Sequence, residues 1–121
     1  MRLSRLILAT AALALSTQAM AVTNPYVGRY TSKKGDCSEE YRVDVTPKSF
    51  NRYEDFCRIT KSETRPDYNK KPVTYLDVKC SSEGEVDYRE IWLQSGDHKG
   101  TIEEYYPRES PDRTVVLYQC R

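Results

Sequence analysis

His98 is the single histidine of the chain, and Ser95 and Asp97 stand beside it in the segment Gln94–Gly100. Serine, histidine and a carboxylate are the parts of an acyl-transfer triad. Crowded into one short loop, however, they do not form the nucleophile, base and orienting-acid line that such chemistry needs, so His98 is expected to be a solvated turn residue. The carboxylates come in neighbouring pairs, Glu39-Glu40, Glu54-Asp55 and Glu103-Glu104. Neighbours on a strand point to opposite faces, which sends one member of each pair to water and leaves no facing acid and base of the glycosidase kind. No phosphate-cradling glycine loop and no nucleophile elbow is visible. The expectation is a chain without catalytic residues, without a cofactor and without enzymatic activity.

The cysteines Cys37, Cys57, Cys80 and Cys120 are separated by gaps of 20, 23 and 40 residues. Zinc sites need close ligand pairs, so a metal is not expected, and an even count in an exported chain reads as two disulfides. If the strands holding Cys57 and Cys80 are antiparallel neighbours, the register that opposes the cysteines also opposes Ile59 and Val78 on the same face. That pattern favours Cys57–Cys80, and hence Cys37–Cys120.

Tyrosine is the over-represented residue, with ten beside one tryptophan and two phenylalanines. Tyr30, Tyr41, Tyr53, Tyr88 and Tyr118 fall at positions expected to be buried. Tyr68, Tyr75, Tyr105 and Tyr106 fall on loops or on the opposite face, and Tyr75, Trp92 and Tyr105 form a candidate aromatic patch for a protein or glycan partner. The second candidate is the polar loop Gln94–Gly100, which would display Ser95, Asp97, His98 and Lys99.

The elements that must position these residues are strands. Pro72–Cys80 and Val86–Leu93 alternate around Ser81-Ser82-Glu83-Gly84-Glu85 and predict a β-hairpin. With Ser81 opposite Glu85, Gly84 takes the positive-φ position of a three-residue loop, Val78 faces Tyr88 and Thr74 faces Trp92, while Leu76 is left facing Glu90. Further strands are predicted at Tyr26–Thr31, Tyr41–Val45, Tyr53–Lys61, Thr101–Tyr106 and Arg113–Arg121, the last with apolar residues on both faces. Ser62–Lys71 reads as an exposed polar loop. About seven short strands joined by hairpin turns predict an all-β antiparallel meander closing into a small barrel or half-open barrel, with a two-sheet sandwich as the alternative.

Met1–Ala21 has a cationic start, the apolar run Leu6–Leu15 and small residues before a cut after Ala21, the pattern of a bacterial secretory signal. The residue directly after the cut is Val22 and not a cysteine, and no later apolar stretch exists, so no membrane anchor is expected and the chain is placed in the periplasm or outside the cell. Residues 22–121 make one domain of 100 residues. Losing Arg2 and Arg5 from the 19 basic residues leaves 17 against 18 acidic ones. With that balance and interspersed signs, nucleic acid is not expected as a partner.

Gly28-Arg29-Tyr30 resembles the Gly-x-Trp opening of lipocalins over three residues, and the other lipocalin signatures are not visible. Ser95-Gly96 with a displaced Lys99 is similar to part of the Ser-Gly-Ser-Gly-Ala-Lys-Tyr pattern of bacterial lysozyme inhibitors; no family is assigned on either. The expected function is that of an exported binding module, a monomer or weak oligomer that inhibits or neutralises a partner such as a cell-wall hydrolase. A small-ligand carrier and a structural envelope component are the alternatives.

Overall fold

The computed structural model describes residues 24–66 and 71–121. The signal sequence expected over residues 1–21 and Tyr68 lie outside the described residues. Eight antiparallel strands follow one another around a closed barrel: β1 (Gly28–Thr31), β2 (Arg42–Val45), β3 (Ser49–Arg52), β4 (Asp55–Pro66), β5 (Pro72–Ser82), β6 (Glu85–Ser95), β7 (Thr101–Tyr106) and β8 (Ser110–Gln119). Among the described residues the helical content is one short 3-10 turn, Glu39–Tyr41. Among the described residues no helix is long and apolar enough to cross a membrane. The disulfides are Cys37–Cys120 and Cys57–Cys80, the pairing favoured by the sequence pattern. Cys57 opposes Cys80 and Ile59 opposes Val78 across β4 and β5, before a bulge between Ile59 and Lys61 shifts the register.

Alternation fills the barrel. Val43 and Val45 from β2, Phe50 from β3, Leu76 and Val78 from β5, Ile91 and Leu93 from β6, Ile102 from β7 and Leu117 from β8 meet in one buried core. Every second residue on these strands points inward, so a short apolar set from each strand suffices to fill the interior. Tyr26 closes the core beside the loop after β6: its hydroxyl donates to the Pro72 carbonyl and its backbone oxygen accepts from the Tyr30 hydroxyl at 2.9 Å.

Five expectations are corrected. The chain has an eighth strand because Ser49–Arg52 pairs with Asp55–Arg58 around the tight turn Tyr53-Glu54; Glu54 takes φ 55° there, a turn position that no glycine announces. The polar run after Lys61 continues β4 to Pro66 instead of starting a loop, since Thr64 and Thr74 share a hydroxyl hydrogen bond of 2.8 Å across the strands.

The central hairpin is shifted by one residue. Ser82 opposes Glu85, and Glu83-Gly84 form a two-residue turn with φ 50° and 82°, the left-handed pair of a type I′ connection. Leu76 now faces Ile91 and Thr74 faces Leu93, which removes the Leu76–Glu90 mismatch and buries the aliphatic pair. Tyr88 follows from this change, and Tyr53 from the turn at Tyr53-Glu54. Tyr88 turns outward, 69% exposed, and Tyr53 is exposed in its turn, while Tyr41 and Tyr118 are half-buried and Tyr30 is buried as expected. β8 carries apolar residues on both faces but is covered on one only, with Leu117 buried and Val116 exposed.

Candidate functional site

On the outer wall of the barrel, Tyr75 of β5 is the register partner of Trp92 of β6, and Trp92 that of Tyr105 of β7. Each lies between two inward residues: Thr74 and Leu76, Ile91 and Leu93, Glu104 and Tyr106. Strand parity therefore presses all three rings onto one outside line. Tyr75 and Trp92 meet edge to face with centroids 5.0 Å apart at 74°, and Trp92 and Tyr105 are 5.4 Å apart at 55°. Such pairs favour tilted contact because ring faces are negative and edges positive.

Charged groups surround this row. The Arg65 guanidinium sits 4.2 Å from the Tyr75 ring centre, and Arg65 Nε lies 3.3 Å from a Glu63 oxygen. Trp92 Nε1 donates to Glu90 at 2.8 Å, whose other oxygen meets Arg108 at 3.2 Å. The Tyr105 hydroxyl donates to the Pro111 carbonyl at 3.1 Å. Between Lys61, Glu63, Arg65, Asp77, Glu90 and the rings of Tyr75 and Trp92 lies a depression of about 320 Å³. The row is half-exposed, rigidly built and polar at its rim, the anatomy of a binding hot spot.

The loop after β6 is arranged differently. Asp97, His98 and Lys99 are exposed at its tip, whereas Ser95 is half-buried, with its hydroxyl 3.4 Å from that of Tyr26. The loop is tightly tied: Gly96 N–H donates to the Thr101 carbonyl at 3.0 Å and Thr101 N–H to the His98 carbonyl at 3.2 Å. A Cβ on Gly96 would come within 2.2 Å of Thr101 Oγ1, so only glycine fits there. Of the residues singled out by sequence, Tyr75, Trp92 and Tyr105 come together; Ser95 turns away from Asp97, His98 and Lys99.

The polar cluster that sequence reasoning missed lies inside the barrel mouth. Glu104 is 0% exposed, and Arg52 reaches both of its oxygens, at 2.5 and 2.8 Å. The Tyr106 hydroxyl donates to Glu104 and accepts from Arg52 at 2.8 Å. Beside them Arg89 holds Asp55 with bonds of 2.7 and 3.2 Å. A usable signal was present: counting from the apolar Ile102, strand parity places Glu104 and Tyr106 on the inner face. Glu104 accepts three hydrogen bonds from Arg52 and Tyr106, so the arrangement ties β3 to β7 as an ionic bolt.

Burial first, then the neighbouring Glu104 charge, raises Tyr106 well above the ordinary phenol pKa, and burial also raises Tyr30. A raised phenol contributes stability that is complete below the unfolded value of about 10 and is lost as pH climbs above it. Stability should therefore fall on the alkaline side of about pH 10, with a tyrosinate absorbance step that coincides with unfolding. In Tyr106→Phe that alkaline slope becomes shallower; an unchanged slope would argue against a buried phenol at this position.

No protein-family model, curated protein or solved structure matches the chain.

Proposed function

We propose that the chain is an exported binding module that holds an envelope protein against the aromatic row Tyr75–Trp92–Tyr105, without chemistry of its own. The observation that carries this reading is the row itself: three large rings kept on the solvent side by strand parity, packed on one another and rimmed by both signs of charge. A solvent-facing ring costs little when a partner covers it, and Trp and Tyr are the residues in which binding energy concentrates. Two disulfides in one small barrel fit an oxidising compartment, and the sequence pattern of the first 21 residues supports export to the periplasm or beyond. Inhibition of a cell-wall hydrolase is one way in which such a module would act.

The test is capture from the native envelope with the oxidised chain 22–121, immobilised and compared with two variants. Trp92→Ala should weaken capture of the bound protein by about 30-fold or more, the loss of a hot-spot residue of about 2 kcal/mol. The triple variant D97A/H98A/K99A should bind as the parent does. The reverse pattern would move the interface to the loop, and retention on isolated cell-wall glycan alone would replace the protein partner by a saccharide. Thermal unfolding of Trp92→Ala separates lost binding from lost fold.

A further inference from the structure

β6 is longer than the strand it meets. Its residues Trp92–Ser95 pair with β7, but Glu85–Ile91 have β5 on one side and no registered strand on the other. The two-residue turn at Glu83-Gly84 makes Ser82 and Glu85 a hydrogen-bonded pair. By alternation, Glu85, Asp87, Arg89 and Ile91 direct their N–H and C=O groups to β5, and Val86, Tyr88 and Glu90 direct theirs to the open side. Among the described residues, no loop backbone bonds to these three. The outer surface here carries exposed apolar side chains: Val86 is 53% exposed, Tyr88 69%, and Phe56 of β4, two strands away from Val86 across Ser81, 63%. Open edges of this kind template strand addition.

We propose that this edge pairs with the same edge of a second copy of the chain, antiparallel and centred on Tyr88. Charge selects the occupant and the register. In a two-fold pairing through Val86, Glu85 would oppose Asp87 of the second copy. Through Asp87, Arg89 or Glu90, each of those charges would oppose itself. Only the pairing through Tyr88 sets Asp87 opposite Arg89 of the second copy, twice by symmetry, and aligns Val86, Tyr88 and Glu90 with Glu90, Tyr88 and Val86 for mutual backbone hydrogen bonds. Arg89 already bridges Asp55 and Asp87, at 2.7 and 3.1 Å, so the second Asp87 extends an existing network of alternating sign. The barrel bodies then lie toward opposite ends of the joined strands. The two-fold axis is perpendicular to the sheet, so both aromatic rows face the same side and the dimer presents them as a bivalent surface.

Sedimentation equilibrium of the oxidised chain 22–121, from about 10 µM to about 1 mM, should show a monomer–dimer equilibrium, as befits an interface at the small end of the range. Tyr88→Pro removes a donor from the open edge without touching the β5 ladder, and Asp87→Lys opposes like charges; each should weaken association about tenfold or more. Far-UV circular dichroism confirms that both variants keep the barrel, and Asp87→Lys supplies the reading if proline perturbs the hairpin. Monomer mass over the whole range overturns the proposal. So does association unchanged in Asp87→Lys, association lost in Trp92→Ala instead, or an edge that takes up an extended peptide while the chain itself stays monomeric.

Discussion

Replacing Cys37 and Cys120 together by serine should lower the unfolding free energy by about 4.5 kcal/mol, the largest effect expected of any single covalent change in this barrel. The bridge spans 83 residues, against 23 for Cys57–Cys80, and the chain entropy released to the unfolded state grows with the logarithm of that span. The shorter bridge is worth about 3.4 kcal/mol on the same basis. Topology sharpens the expectation. The barrel closes where β1 meets β8, and only Tyr30 with Gln119 and Thr31 with Tyr118 are in register there, followed by the Cys120 N–H to the Arg29 carbonyl at 2.9 Å. The longer disulfide staples the seam with the least strand pairing. Urea unfolding of C37S/C120S beside the parent measures the loss. A difference below about 1 kcal/mol would show that the seam holds without its bridge, contrary to the chain-entropy argument. At the lower end of the range of about 5–15 kcal/mol usual for a domain, this one change would leave the fold marginal and loss of both bridges would unfold it.

The second large effect belongs to the bolt in the barrel mouth. Arg52→Met should destabilise the chain by about 3–5 kcal/mol, because it strands a fully buried Glu104 carboxylate without its counter-charge. The pair itself is a different quantity. Taking two charges out of water costs nearly what their attraction returns, so R52M/E104L should recover most of the loss and reach a stability close to that of the parent. The comparison needs the parent, both single variants and the double variant in urea. A loss in the double variant equal to the sum of the two single losses would mean that the two side chains act separately. The bond geometry at Glu104 and the shared Tyr106 hydroxyl argue for strong coupling instead.

Much of this architecture could be read from the residues because it depends on a period of two. Val43 and Val45, or Ile59 beside Cys57, announce an inward face by themselves, and the pairing of Cys57 with Cys80 follows from the register that those neighbours demand. The hairpin register was harder. Glycine at 84 suits the last position of a three-residue loop and equally the second position of a type I′ turn, and the decision rested on Leu76, whose apolar side chain required Ile91 rather than Glu90 opposite it. Tyr88 shows the consequence of a one-residue slip, since it exchanges interior for solvent.

The turn at Tyr53-Glu54 escaped for another reason. Left-handed backbone at a glutamate leaves no mark in the sequence, so a strand is read at Tyr53–Lys61 and none over Ser49–Arg52. The three rings were legible as a candidate patch, with Tyr75 and Tyr105 off the core face, although the slipped register sets Trp92 opposite Thr74 on the apolar one. The contiguity of the row was not, because that required the true register across β5, β6 and β7 at once. Glu104 was hidden by its charge: a carboxylate in an alternating strand is ordinarily assigned to water, and only its partner Arg52, from a strand 52 residues away in sequence, makes an interior position affordable.

The nesting of the two disulfides, one inside the other, has a mechanical consequence. If the chain is pulled from Asn24 and Arg121, tension passes through Cys37 and Cys120 without entering the strands between them, because the covalent bond carries it. Only β1 and the short segment around it can yield. The slack available before the bond takes the load is the chain from residue 24 to residue 37, on the order of 45 Å when fully drawn out. Beyond that point, further extension would have to break a covalent bond rather than unravel β2 to β8. The same tie acts on a protease. A single cut between Cys37 and Cys120 leaves two pieces joined as one molecule, and the rest of the barrel can keep them in register.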